Sequence, residues 1–195
     1  MIAVTQRLDY FESTHEWRNT LDQRWFRFLE ACHLVPILVP NHLPTAKQLI
    51  ETLPLKGILL TGGNDLGSVP ERDAVEHWLL EYAMLQDLPV LGVCRGMQFI
   101  QDYCRVPLEQ VSGHITPSME IMLINQESFI TNSYHRFGSK ITVPELEVWA
   151  SSHDGVIKAI RHSRFNLTGI MWHPERNLPF HDFDLALFHE VFRLT

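Results

Sequence analysis

The stretch Val90-Leu91-Gly92-Val93-Cys94-Arg95-Gly96-Met97-Gln98 narrows the choice of fold more than any other part of the chain. Four residues without a polar side chain read as a buried strand, and a helical pattern over 95–103 starts directly after Cys94. A strand that passes into a helix with no loop between them must turn sharply at one residue. Glycines two positions to either side of Cys94 remove the side chains that would clash with such a turn. This is the cysteine form of a nucleophile elbow, whose central residue is strained and stands above the carboxyl edge of a sheet. Ligands of open α/β sheets collect at that edge. A cysteine there also sits at a helix N-terminus, which favours the thiolate. One segment thus predicts both an α/β fold and a reactive thiol.

The rest of the first half agrees. Short apolar runs over 1–5, 35–39 and 57–60 read as strands, and helical patterns cover 23–33, 45–53 and 70–86. Alternating strands and helices imply βαβ units and a mainly parallel sheet. The second half is richer in strand, with candidates at 120–124, 129–132, 147–152, 156–160 and 167–172 before a closing helix over 184–194. No repeat or linker interrupts the pattern, so the expectation is one α/β domain over 1–195, with a three-layer, flavodoxin-like arrangement.

Composition bounds the partners. A formal charge of −7 argues against a general nucleic-acid binder, which needs a dense basic face. No window approaches the roughly 20 apolar residues of a membrane span, and residues 1–7 do not resemble a leader. Cys32, Cys94 and Cys104 lack framework spacing, as expected of free thiols in a reducing compartment. The expected setting is therefore the cytoplasm. The eleven histidines do not form a helical metal motif, so no metal and no cofactor are expected. The oligomeric state is left open.

A second apolar run, Gly169-Ile170-Met171-Trp172, ends in His173-Pro174-Glu175. His173 could take the proton of a thiol and later return it to a leaving amine, and Glu175 could orient the imidazole. Pro174 restricts the backbone between the two side chains. After the strand at 57–60 comes Thr61-Gly62-Gly63-Asn64-Asp65. Its paired glycines let backbone N–H groups approach a substrate, so Gly63 and Arg95 N–H are candidates for an oxyanion hole.

Taken together, these segments resemble the class I glutamine amidotransferase-like superfamily, and within it the peptidase C26-type γ-glutamyl hydrolases. The resemblance also includes Arg72-Asp73, Asn132-Ser133-Tyr134-His135, and Ser152-His153-Asp154-Gly155-Val156-Ile157-Lys158-Ala159, in family order along nearly the whole chain. It implies Cys94, His173 and Glu175 as a catalytic triad, with Gln98, Asn132, Ser133 and Tyr134 gripping a glutamyl head group. The chain departs from the family in a short segment between Asp65 and Arg72, in Met171 where glutamine is frequent, and in Arg136 after His135. A narrower resemblance is to hydrolases of γ-glutamyl-CDP-amidate that serve phosphoramidate decoration of bacterial capsules. It implies a small-molecule substrate with a nucleotide leaving group, for which Arg7, Arg24 and Arg72 are candidate phosphate contacts.

The expected activity is hydrolysis of a γ-glutamyl amide bond through a γ-glutamyl thioester. The alternatives are a glutaminase feeding ammonia to a separate synthase, a hydrolase of another γ-glutamyl amine such as γ-glutamyl-γ-aminobutyrate, and a non-enzymatic binding protein on the same fold.

Overall fold

The computed structural model describes residues 1–193. In chain order the strands are β1 (Ile2–Thr5), β2 (Arg7–Phe11), β3 (Glu16–Thr20), β4 (Pro36–Val39), β5 (Ile58–Leu60), β6 (Val90–Val93) and β7 (Glu109–Gln110). They continue as β8 (Ile115–Leu123), β9 (Ser128–Tyr134), β10 (Phe137–Gly138), β11 (Leu146–Ser152), β12 (Ile157–His162) and β13 (Leu167–Ile170). The helices are α1 (Arg24–Ala31), α2 (Leu43–Thr52), α3 (Pro70–Leu85), α4 (Arg95–Tyr103) and α5 (Asp182–Val191), with a 3-10 turn at Pro174–Arg176.

Nine strands form one sheet in the order β4-β1-β5-β6-β13-β12-β11-β8-β9. The first five pair in parallel, and the remaining pairings are antiparallel. Each buried strand alternates between two cores, as a period of two requires. Ile58, Leu60 and Val90 face α2, α3 and α4, where Ile50, Leu79 and Met97 pack. Leu59, Leu91 and Val93 face α1 and α5, where Phe28, Leu29 and Phe188 pack. Helices on both faces of a mainly parallel sheet make the expected three layers.

Strand bounds shift where tertiary pairing extends them. The pattern over 120–124 is the end of the longer β8, and β9 runs two residues past 132 to Tyr134. β13 stops at Ile170, so Met171 and Trp172 lead off the sheet toward His173. The last helix begins at Asp182 and ends at Val191; the expected end at Leu194 lies outside the described residues. The hairpin β2–β3 has no counterpart in the sequence pattern. Its strands, RLDYF and EWRNT, are largely exposed and carry no apolar alternation to betray them.

Candidate active site

Three adjacent parallel strands end on one side of the sheet, and each delivers a piece of the site. β5 leads into Thr61-Gly62-Gly63, β6 into Cys94, and β13 through Trp172 into His173. β6 and β13 are locked in register by Gly169 opposite Gly92 and Ile170 opposite Val93, and the Cys94 N–H donates to the Ile170 carbonyl at 2.7 Å.

Cys94 has φ +54° and ψ −105°, a conformation that L side chains rarely adopt. The turn closes because a Cβ on Gly92 would lie 2.5 Å from the Gly96 carbonyl carbon, and one on Gly96 would collide with the Leu60 carbonyl. The same closeness brings His173 to Cys94. A Cβ built on Gly62 would stand 2.8 Å from His173 Cε1 and 3.6 Å from both His173 Nε2 and Cys94 Cβ. His173 and Cys94 therefore meet over Gly62, a position with no room for a side chain.

His173 is buried, and its Nδ1 lies 2.8 Å from Glu175 Oε1. Burial opposes charging the imidazole, but the Glu175 carboxylate and the Cys94 sulfur outweigh it and hold the His173 pKa up at about 9. The Cys94 sulfur also lies 3.9 Å from the Tyr134 carbonyl oxygen. Burial pushes the Cys32 thiol up to about 12 and raises that of Cys104, as expected of structural cysteines. The geometry brings together an imidazole, a carboxylate within hydrogen-bond distance of it, and a thiol carried on a strained backbone.

The other expected residues divide. Gln98 is buried one turn into α4, and its Nε2 donates to the Phe137 carbonyl at 2.7 Å. Tyr134 packs its ring edge-on to His173, and the Arg176 guanidinium lies 4.9 Å above the same ring. The Arg95 N–H belongs to the first turn of α4, where the helix supplies no partner. The Arg95 side chain turns away, ion-paired to Asp73 and Glu76.

Three residues are redirected. Asn132 does not offer its amide to the pocket. Its Oδ1 accepts from the His173 N–H at 2.9 Å, and its Nδ2 donates to the His173 carbonyl and to Asn177 Oδ1, both at 2.7 Å. It clasps the base. The Ser133 hydroxyl donates to the His114 carbonyl and accepts from Lys158 Nζ, each at 3.0 Å, on the far side of β9. Arg72 is fully buried, with its Nε on Glu76 at 2.9 Å and its Nη groups donating to the Thr61 and Gly62 carbonyls and to Asn64 Oδ1. The expected phosphate contact is a strut under the glycine loop, because burial leaves its guanidinium only protein partners. Burial also lowers its pKa to about 10.

Arg7 and Arg24 are half-exposed and paired with Asp9 and Asp22. Arg7 lies directly across Gly63, whose φ of +91° and missing Cβ make room for it. Beside it opens a cavity of about 290 Å³ lined by Arg7, Asp9, Thr20, His173 and Arg176. The hairpin β2–β3 thus builds one wall of the site. Asn64 fastens it there, accepting from the Leu8 N–H at 3.1 Å and donating to the Leu8 carbonyl at 3.2 Å. Arg176, directly after His173-Pro174-Glu175, is a site residue that the sequence motifs did not flag; its place beside the last of them was the available signal. Arg136 pairs with the exposed Asp65, and Met171 is fully buried in the core. Among the described residues, no group of three His, Cys, Asp or Glu side chains is placed to hold a metal ion. None of the helices there is long and apolar enough to cross a membrane.

Comparison with known proteins gives this geometry a lineage. A gamma-glutamyl-CDP-amidate hydrolase of Campylobacter jejuni is 31% identical over 186 residues, covering 90% of each chain. A gamma-glutamyl-gamma-aminobutyrate hydrolase of Escherichia coli O157:H7 is 28% identical over 203 residues, covering 82% of this chain and 80% of that protein. The crystal structure of a protein from Thermoplasma acidophilum, described as one part of a GMP synthase, superposes with a TM-score of 0.75 at 16% identity, covering 99% of this chain and 92% of the other. That likeness establishes the fold. The model of the family described as glutamine amidotransferase class-I matches residues 19–190, and the chain belongs to that family.

Proposed function

We propose that this protein hydrolyses a γ-glutamyl amide bond, with Cys94 as nucleophile, His173 as general base and acid, and Glu175 as the group that orients it. The observation that carries the reading is the meeting of the strained Cys94 with the buried His173–Glu175 pair over Gly62. Cys94 Sγ attacks the γ-carbonyl carbon, and the developing oxyanion sits on the Gly63 and Arg95 N–H groups. His173 gives a proton to the departing nitrogen as the C–N bond breaks, leaving a γ-glutamyl thioester. Water, deprotonated by His173, then attacks the thioester, and glutamate leaves as the thiol is restored. Gln98, one turn past Cys94 on α4, and the Tyr134 backbone, whose carbonyl oxygen lies 3.9 Å from the Cys94 sulfur, are the proposed grip on the glutamyl head group.

The leaving group is proposed to be cytidine diphosphoramidate, so that the substrate is γ-glutamyl-CDP-amidate and the product would serve capsule decoration. The named activity of the Campylobacter relative supports this, together with the polar cavity between the hairpin and His173. Arg7 and Arg176 both line that cavity and can meet a phosphate with charge-assisted hydrogen bonds. Arg24, held by Asp22 through both its Nε and Nη2, is the weaker candidate. The test is glutamate release from γ-glutamyl-CDP-amidate, glutamine and γ-glutamyl-γ-aminobutyrate under the same conditions. A preference for the first of about a hundredfold in kcat/KM, worth close to 3 kcal/mol, is expected. Equal turnover of the three would remove the nucleotide but keep the γ-glutamyl reaction, and no release from any of them would remove both.

A further inference from the structure

Lys158 carries an ammonium into the protein core. It lies on β12 at 1% exposure, and among the described residues no carboxylate touches its ammonium. Its three donors meet three neutral groups: His135 Nε2 at 2.7 Å, His114 Nδ1 at 2.8 Å and Ser133 Oγ at 3.0 Å. A buried ammonium held this way costs free energy, so the arrangement calls for an explanation beyond packing.

The explanation follows from where those partners sit. Along the end of β9, side chains alternate between two sides. Asn132 and Tyr134 point to His173, whereas Ser133 and His135 point to Lys158. Because Lys158 only donates, both imidazoles must present it a bare nitrogen. His135 then carries its proton on Nδ1 and donates to the Phe137 carbonyl at 2.9 Å. That same carbonyl accepts from Gln98 Nε2, which fixes the Gln98 amide with its oxygen as the remaining acceptor. His114 likewise donates from Nε2 to Asp154 Oδ2 at 3.2 Å, and the two rings stack with centroids 5.0 Å apart.

We propose that Lys158 is a positioning residue for γ-glutamyl binding, whose ammonium holds the back of segment 133–137 so that the Tyr134 carbonyl and the Phe137–Gln98 pair stay aligned beside Cys94. The proposal rests on the γ-glutamyl reading above. Burial brings the Lys158 pKa down to about 7, against the pull of Asp154 and Cys94. Burial and the Lys158 charge push His135 to about 3, and the same two causes lower His114, so neither imidazole competes for the proton. Lys140, 3.7 Å from Asp154, and His173, beyond His135, are the remaining charged groups that bear on the cluster. The clamp is charged below about pH 7 and is lost as pH rises through that value.

The test uses the full chain, with glutamate release from glutamine and from a γ-glutamyl anilide. For the wild type, KM should rise between about pH 6 and about pH 7.5, below the ordinary α-amino pKa of about 7.7–8.0. Lys158→Met keeps the apolar stem and removes the charge. At about pH 6 its KM should be raised about tenfold for both substrates, the size of one charge-assisted hydrogen bond, and should no longer vary with pH. A merely structural lysine would lower the fraction of active molecules, counted by alkylation of Cys94, without flattening the KM profile. Should Lys158→Met fail to fold, the wild-type profile still decides, because a level KM over that range overturns the proposal. An unchanged KM in Lys158→Met overturns it as well while the hydrolase reading stands. Absence of glutamate release by the wild type overturns both.

Discussion

Replacing Asn132 with alanine separates two roles that a residue beside a glutamyl site could play. If Asn132 gripped substrate, its loss would raise KM. In the structure its amide is engaged on both sides by the His173 backbone and by Asn177, at 2.7 to 2.9 Å, and the residue is 3% exposed. Truncation leaves the His173 N–H, the His173 carbonyl and Asn177 Oδ1 without those partners. Each unsatisfied buried group costs about 1–3 kcal/mol, but neighbouring losses do not add, so about 3 kcal/mol in total is expected. The His173 ring would shift with its backbone, and a misplacement of about 1 Å can cost about a hundredfold in rate. The prediction is therefore a urea midpoint lowered by the equivalent of about 3 kcal/mol, with kcat down about a hundredfold and KM within about threefold. Asn132→Asp, which keeps the acceptor for the His173 N–H but sets an oxygen against its carbonyl, should fall between. A variant that keeps kcat and loses KM would refute the clasp and return Asn132 to the substrate.

Cys94→Ala should abolish hydrolysis, and iodoacetamide should label Cys94 far faster than Cys32, whose buried thiol titrates at about 12; peptide mapping of the labelled protein checks this. Cys94→Gly should also be inactive but more stable than Cys94→Ala by about 1 kcal/mol, because glycine accepts the positive φ that alanine resists. Glu175→Gln should lower kcat less than His173→Asn and change how stability varies with pH. His173 titrates at about 9 in the folded chain against 6.5 ordinarily, so its contribution is complete below about 6.5 and lost as pH rises through about 9. Urea midpoints across that range should fall in the wild type relative to Glu175→Gln, and parallel curves would show that the carboxylate does not hold the proton. Arg7→Ala should reduce the preference for γ-glutamyl-CDP-amidate over glutamine by about tenfold or more in kcat/KM, and an unchanged ratio would take Arg7 out of the leaving-group wall.

The amino-acid order by itself determined the parts whose cause is local. Apolar runs of strand length, the glycines around Cys94 and the Pro174 link between His173 and Glu175 act over a few residues, so the alternating βα frame and the three motifs that meet at the candidate site could be read directly. What the polar side chains do with their hydrogen bonds was decided only by the tertiary structure. Asn132 meets His173 across 41 residues, Lys158 meets His114 across 44, and Asn64 meets Leu8 across 56. The Asn-Ser-Tyr-His segment looks the same whether its side chains face a substrate or each other. Only the pairing of β9 with β8, at the far edge of the sheet from β4, sends Ser133 and His135 to Lys158 while Asn132 turns to His173. Arg72 and Arg7 are chemically identical, yet one is sealed beneath the glycine loop and the other lies across its top. Burial separates them, because a guanidinium out of reach of water must be satisfied by the protein, whereas one at a cavity wall remains able to exchange its partner for a ligand.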